Sequence, residues 1–159
     1  MSLVPRVKIT VPAFPPGFVP RPELCAELDT AAAADVALVC APAGYGKTLL
    51  LADWARTSTS VDTAWVGVDR DDNDPRRLWS AIVQAVAACR SVPSTSRLHA
   101  PWSWGGGQPE FAAEFADAVA ALPQPIRLIL DDVHKLVDAD ALHGVAILTR
   151  IKPAGVQVV

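Results

Sequence analysis

Short apolar runs alternate along this chain with longer segments in which apolar residues recur at helical spacing. Three largely apolar runs have the length of a strand, at 36–40, 63–68 and 126–130, and the first of them is continuously apolar. A continuous apolar run is typical of a strand that is buried on both faces. A fourth run covers 156–159. The alternation of strands with helices predicts an α/β domain with a mostly parallel sheet.

The helix after the second strand has the clearest start. Asp74 can cap it, and Pro75 suits its first position. The apolar stripe of this helix is Leu78, Ile82, Val86 and Cys89. A later helix is predicted from a second stripe, Phe111, Phe115, Ala118 and Leu122. Further helices are predicted over about 23–33, 47–57 and 139–151. Trp54, Trp65 and Trp79 fall on apolar stripes and are expected in the core.

Proline and glycine mark the irregular parts of the chain. Residues 1–22 are rich in proline, which predicts an extended lead-in over the surface of a domain formed by 23–159. Residues 91–108 are rich in Ser, Pro and Gly and predict a mobile loop. Within that loop, Trp102 and Trp104 form either a recognition surface or a loosely packed segment.

The strongest motif is the octamer Ala-Pro-Ala-Gly-Tyr-Gly-Lys-Thr at 41–48. A glycine-rich turn between a strand and a helix lets backbone N–H groups wrap a phosphate at the positive end of the helix dipole. Ala41 replaces the first glycine of the usual consensus, but the later glycines lie nearest the phosphates. The predicted nucleotide-binding residues are Ala43, Gly44, Tyr45, Gly46, Lys47 and Thr48. Lys47 would reach the β- and γ-phosphates, and the Thr48 hydroxyl would bind Mg²⁺.

Two carboxylates follow the apolar strand at 126–130. Ligands of open α/β sheets bind beyond the carboxyl ends of the strands, and Mg²⁺ prefers oxygen ligands. Asp131 is therefore predicted to hold Mg²⁺, and Asp132 to polarise an attacking water as a catalytic base. Acidic turn residues after a strand are common, so this motif gains its weight from the loop at 41–48.

Composition and charge narrow the classes of function. A hydrophobic content of 51% with 19% charged residues excludes a wholly disordered chain. The net charge is −3 and the basic residues are scattered, so direct nucleic-acid binding is not expected. Three cysteines in apolar surroundings predict reduced, structural thiols in a cytoplasmic protein. Neither a signal peptide nor a membrane span is predicted.

The motifs together resemble the N-terminal ATPase module of large ATP-binding LuxR-type transcription regulators, which belong to the STAND class of P-loop ATPases. The matching segments are 18–24 (Phe-Val-Pro-Arg-Pro-Glu-Leu), 41–48, 64–65 (Ala-Trp), 69 with 72–75 (Asp with Asp-Asn-Asp-Pro), and 130–134 (Leu-Asp-Asp-Val-His). They follow the order of that family and extend over most of the chain.

The resemblance implies a three-layer P-loop sandwich with strand order 1-4-3-2, counted along the chain and ending before a fifth strand. It implies ATP or ADP with Mg²⁺ as ligands, and backbone near Val19 and Arg21 as the lining of an adenine pocket. It further implies that the chain is a signal-dependent switch. By the same resemblance, the chain would be an N-terminal fragment of a bacterial transcription regulator, without the DNA-binding domain. Whether the module hydrolyses ATP slowly stays open. An unpaired strand at 36–40 would promote self-association.

Two other classes of function stay open at this stage. A small-molecule kinase could use the same phosphate loop, but the stretch 101–108 offers no convergent arginines for a lid. An interaction module with residual nucleotide binding is the other alternative, and the intact Lys47, Thr48 and Asp131 argue against it.

Overall fold

Three parallel strands form the sheet of this protein. The computed structural model describes residues 4–32, 36–57, 61–151 and 156–158. Strand β1 (Asp62–Gly67) pairs with β2 (Ile126–Asp131), which pairs with β3 (Val156–Val158), in the order β1-β2-β3. The register places Gly67 opposite Asp131, so β1 and β2 end at the same edge of the sheet.

Five helices connect and cover these strands within the described residues. They are α1 (Pro22–Ala32), α2 (Lys47–Thr57), α3 (Pro75–Ala87), α4 (Gln108–Ala120) and α5 (Ala139–Ile151). Short 3-10 helices lie at Arg6–Ile9, Arg70–Asn73, Arg97–His99 and Val133–Lys135. The bounds of α1, α2 and α5 agree closely with the helices predicted over about 23–33, 47–57 and 139–151. Across the described part of the chain, no helix is both long and apolar enough to span a membrane.

The two faces of the sheet bury different sets of side chains. Ala64 and Leu128 point to the larger core, which α3, α4 and α5 cover. Trp65 and Ile129, one position further along each strand, point to a smaller core against α1 and α2. This alternation follows from the period of two in a strand. Helices on both faces of a parallel sheet confirm the α/β class, and the observed strand order is the 4-3-2 part of the predicted order.

The segment 36–40 does not form the predicted first strand of the sheet. Val36 makes only an isolated bridge, and 37–40 have irregular backbone. Within the described residues, the sheet contains β1, β2 and β3, and 36–40 joins none of them in a regular ladder. Leu38 is 85% exposed, so this side chain lacks the burial expected of a strand that is buried on both faces. Self-association through the edge at 36–40 stays a prediction.

The proline-rich lead-in contributes to the packing of the domain. It contains a 3-10 turn at Arg6–Ile9 and is not extended throughout. Lys8 Nζ lies 2.6 Å from Asp69 Oδ2 and 2.6 Å from Asp72 Oδ2. Asp72 is almost completely buried, and its charge therefore needs this partner. The lead-in thus neutralises a buried carboxylate in the turn after β1.

Four of the five tryptophans are buried, and the fifth, Trp104, packs against the core. Trp54, Trp65 and Trp79 are buried, which confirms them as core residues. Trp102 is also buried, with its ring centroid 5.1 Å from that of Phe111. Trp104 lies 5.0 Å from the same ring. Both tryptophans therefore anchor their loop to α4, and Trp102 forms no recognition surface.

Candidate functional site

The glycine-rich loop leads directly into α2, which begins at Lys47. Gly44 has φ 83° and Gly46 has φ 77°, conformations that glycine adopts at little cost. A Cβ built on Gly44 would meet no atom within 4 Å, so backbone conformation is what requires glycine there. Such turns, followed by a helix whose first N–H groups lack partners within the helix, can surround an anion.

Lys47 folds back over its own loop. Its Nζ donates to the carbonyl oxygen of Ala41 at 2.6 Å and to that of Pro42 at 3.1 Å. The ammonium group is therefore held at the centre of the loop, where it could exchange two carbonyl partners for phosphate oxygens. An ammonium on a flexible stem is well suited to bind phosphate as a point charge.

Thr48 and Asp131 meet although they are 83 residues apart in sequence. The Thr48 hydroxyl lies 3.1 Å from Oδ1 and 2.9 Å from Oδ2 of Asp131. Asp131 ends β2, and Thr48 lies in the first turn of α2. The carboxyl edge of the sheet thus brings together the two residues that the sequence predicts as magnesium ligands.

The environment of Asp131 is electrostatically unfavourable for a lone carboxylate. Burial raises the pKa of Asp131, and the Asp132 carboxylate raises it further. The hydrogen bond from Thr48 and the charge of Lys135 act in the opposite direction. A divalent cation next to Asp131 would stabilise its ionised form, since an opposite charge at close range offsets desolvation.

Asp132 has an unusual backbone conformation for a residue other than glycine, with φ 64°. Its Oδ2 accepts a hydrogen bond from Lys135 Nζ at 2.6 Å, and His134 Nδ1 lies 3.9 Å from its Oδ1. The left-handed conformation turns the chain sharply after β2. Asp132 is half-buried, and its predicted role as a base toward water stays a prediction.

Two clefts flank the first turns of α2. The larger, about 1090 Å³, is lined by the loop and by the acidic residues that follow β2. The predicted site residues among its lining are Ala43, Gly44, Gly46, Lys47, Thr48, Asp131 and Asp132. The smaller, about 280 Å³, is lined by the lead-in and by one face of α2. Gly46 borders both clefts.

The remaining predicted residues lie at the smaller cleft or beside it. Val19 and Arg21 both line it. Arg21 Nη1 also donates to the carbonyl oxygen of Tyr45 at 3.3 Å. The side chain of Tyr45 is 66% exposed, so its connection to the site runs through its backbone. The structure therefore gathers all the predicted site residues around the start of α2.

These residues fit a magnesium nucleotide. The loop can supply N–H donors and an ammonium group to a diphosphate, and the hydroxyl–carboxylate pair supplies the oxygen ligands that Mg²⁺ prefers. The cleft beside Val19 is large enough for a base. Among the described residues, no group of three or more His, Cys, Asp or Glu side chains forms a separate metal site.

One polar residue of this region escapes sequence analysis. Asp53 lies on α2, is 6% exposed and lines the smaller cleft. Its only signal in the sequence is that a carboxylate falls on a helix that is otherwise apolar on the side facing α1. The position of the lead-in opposite that face could not be predicted from local patterns.

The cysteines differ in exposure, contrary to the prediction that all three are structural. Cys25 and Cys89 are buried, whereas Cys40 is exposed and lines the larger cleft. The cause is the irregular backbone at 37–40, which leaves the Cys40 side chain uncovered. Burial raises the pKa of Cys25, and it raises the pKa of Cys89 to about 12.

We expect iodoacetamide to label Cys40 first in the native protein. The thiolate is the reactive form, and a pKa of about 12 reduces the thiolate fraction of Cys89 on the order of a thousandfold. Mg-ADP in the larger cleft should slow the labelling of Cys40. Mass spectrometry of digested protein over a time course measures both effects, with Cys40→Ser as the control. Equally rapid labelling of Cys89 would contradict this assignment.

Comparison with known proteins supports the resemblance to transcription regulators. Within that group, this chain is similar to the maltose-regulon activator. The chain is 30% identical over 142 residues to the HTH-type transcriptional regulator MalT of Cronobacter sakazakii. It is 32% identical over 146 residues to the MalT of Serratia proteamaculans, and 32% identical over 149 residues to that of Yersinia enterocolitica. No protein-family model matches the chain.

These matches cover most of this chain but only a small part of each relative. They cover 85% of this chain for the first relative and 89% for the other two, but only 15% of the length of each relative. Every segment that carries the resemblance lies between residues 18 and 134, in the part that contains the loop, β1, β2 and most residues lining the two clefts. Over most of its own length, this chain is therefore similar to a part of the HTH-type transcriptional regulators named MalT.

Proposed function

We propose that this chain is the nucleotide-binding switch module of a bacterial transcription regulator of the STAND class, and that it binds ATP or ADP with Mg²⁺. The hydrogen bond between Thr48 and Asp131 carries the proposal, because it joins the phosphate loop to the acidic strand in the arrangement that a magnesium nucleotide requires. The similarity to regulators named MalT supports the regulatory part.

The chain's own residues would act in three places. The loop at 43–46 and the first turn of α2 would donate N–H groups to the diphosphate, and Lys47 would give up the carbonyls of Ala41 and Pro42 to bind phosphate oxygens. Thr48 and Asp131 would hold Mg²⁺, which neutralises phosphate charge when it is bound. The nucleoside would extend into the cleft beside Val19 and Arg21.

A regulatory role requires that the two nucleotides favour different conformations, since a ligand shifts an equilibrium only by its difference in affinity for two states. The γ-phosphate is the only group that distinguishes ATP from ADP. Asp132 and His134 lie in the wall of the larger cleft, next to Asp131, where an additional phosphate would lie. DNA binding, in this proposal, belongs to a different part of the regulator.

Calorimetric titration of the chain with ADP and ATP, with and without Mg²⁺, tests the proposal. We expect saturable one-to-one binding that Mg²⁺ strengthens. An absence of binding to either nucleotide at millimolar concentration would overturn it. Phosphate transfer to a panel of small alcohols and acids, rather than to water, would instead identify a kinase.

The two acidic residues should respond differently to amide substitution. Asp131→Asn removes the charge that faces Mg²⁺, so the gain in ADP affinity on adding Mg²⁺ should fall roughly ten- to a hundredfold. Asp132→Asn should leave that gain unchanged and lower any ATP hydrolysis roughly a hundredfold. A magnesium titration of both variants by calorimetry, followed by a phosphate-release assay, separates the roles. Identical magnesium curves for the two variants would show that the division is wrong.

A further inference from the structure

The smaller cleft has one wall that comes from a single stripe of α2 and the residue before it. Gly46, Leu49, Leu50 and Asp53 line this wall, at the spacing i, i+3, i+4 and i+7. Residues at this spacing share one face of a helix. Asp53 is therefore the only charged group in a stripe that is otherwise glycine and leucine, and it stands at the end of the stripe away from the phosphate loop.

Asp53 is buried with little compensation. It is 6% exposed, and within the described residues its carboxylate has one side-chain partner, the thiol of Cys25 at 3.8 Å from Oδ2. A thiol is a weak donor. Buried carboxylates are normally paired with a cation or with several donors, because burial of an unsatisfied charge is costly. An acceptor that is held in this way beside a cleft is suited to a ligand that carries a donor.

We propose that Asp53 selects the base of the bound nucleotide, by accepting a hydrogen bond from the exocyclic amino group of adenine. This inference depends on the proposed function, because it assumes that the phosphates lie at Lys47. Asp53 lies six residues beyond Lys47, which is about 9 Å along the helix axis. That separation is comparable to the span between the diphosphate and the base of an extended nucleotide.

The size and lining of the cleft agree with a base as its occupant. A volume of about 280 Å³ is at the lower limit of ligand pockets, which suits one flat ring system rather than a larger molecule. Pro15, Phe18 and Val19 supply apolar contacts across from α2. Asp53 supplies an acceptor and Arg21 a donor. A site with few polar groups on apolar walls fixes orientation through those groups.

In the proposed pose, with the 6-substituent of the purine against Asp53, the acceptor also distinguishes adenine from the 6-oxo purines. A carboxylate accepts hydrogen bonds but cannot donate them, so the 6-oxo group of hypoxanthine or guanine in that pose would place oxygen against oxygen. Because the Cys25 thiol already contacts Oδ2, the other oxygen, Oδ1, is the one offered to the ligand. An analogue without the amino group leaves Asp53 unpaired, which costs affinity.

The test compares Mg²⁺ complexes of four nucleotides by calorimetry on the whole chain: ADP, IDP, GDP and the diphosphate of purine riboside. The native protein should bind ADP roughly ten- to a hundredfold more tightly than purine riboside diphosphate, the scale of one hydrogen bond to a charged group. Equal affinities for these two ligands would overturn the inference, and this comparison needs no variant.

Asp53→Asn is the decisive variant, because an amide can donate to a 6-oxo group. The ratio of ADP affinity to IDP affinity should fall at least about tenfold, while the affinity for inorganic pyrophosphate stays the same. Cys25→Ala is the matched control, since it removes the one side-chain partner that Asp53 has within the described residues, without altering the acceptor. It should keep the native ADP-to-IDP ratio.

The outcomes separate this inference from the proposed function. If the native chain binds neither ADP nor pyrophosphate, the proposed function fails. If it binds all four nucleotides and Asp53→Asn leaves their ratios unchanged, Asp53 only anchors Cys25 and α1, and the selection of the base by Asp53 is wrong. A preference for GDP over ADP in the native chain would overturn the assignment of adenine.

Discussion

Replacing Lys47 with Ala is expected to weaken the binding of Mg-ADP and Mg-ATP roughly 30- to 4,000-fold, or about 2–5 kcal/mol. Its ammonium group is held over the phosphate loop through the carbonyl oxygens of Ala41 and Pro42. The variant would lose both the charge that faces the phosphates and the contacts that shape the loop before binding. Isothermal titration calorimetry at fixed Mg²⁺ measures the loss.

Lys135→Ala is the matched control for this experiment. It removes the same charge close to the site, but Lys135 is half-exposed and pairs with Asp132. Its removal should change nucleotide affinity by less than about 1 kcal/mol, the scale of an exposed ion pair. Unchanged affinity in Lys47→Ala would show that Lys47 does not bind the phosphates. Equal losses in both variants would show that net charge rather than the loop governs binding.

Replacing Phe115 with Ala should lower the free energy of unfolding by about 3–5 kcal/mol. Phe115 is fully buried on α4, and its ring lies 5.7 Å from that of Trp79 in an edge-to-face arrangement. Truncation removes this contact and leaves a cavity that the surrounding rings cannot fill. The loss is a large share of the 5–15 kcal/mol that is typical of a domain. Urea denaturation followed by tryptophan fluorescence measures it.

Phe14→Ala controls for the chemical change alone. Phe14 is 37% exposed and stacks on Phe18 at the surface, so its loss should cost about 1 kcal/mol. The folded Phe115→Ala variant should also bind Mg-ADP like the native protein, because Phe115 lines neither cleft. Equal destabilisation by the two substitutions would contradict the aromatic core as described.

Local pattern predicted most of the elements and their ends. The helices at 47–57 and 139–151 have the bounds that periodicity indicates, and Asp74 caps α3 through the backbone N–H of Arg76 as its sequence suggests. The failure at 36–40 has a physical cause. A run of apolar residues indicates that a segment can be buried, but its strand character depends on a partner ladder, which 36–40 lacks among the described residues.

Interactions between distant parts of the chain were the least predictable. Arg127 is one of the scattered basic residues of the sequence, and it is buried on β2 with its guanidinium 3.5 Å from the centre of the Trp54 ring. Lys8 neutralises Asp72 across 64 residues. Neither pairing has a signal at short range, because the packing of the lead-in and α2 on the sheet decides both.

The sequence by itself determined the chemistry of this protein's candidate site. The glycines at 44 and 46, the lysine and hydroxyl that follow, and the acidic end of an apolar strand each have a local physical meaning that holds before folding. The tertiary structure alone decided which of these groups meet. It placed the Thr48 hydroxyl on Asp131, left Cys40 exposed, and set Asp53 into a cleft walled by the lead-in. The physical reason is range: backbone conformation and periodicity act over a few residues, whereas contacts across a sheet depend on how whole elements pack.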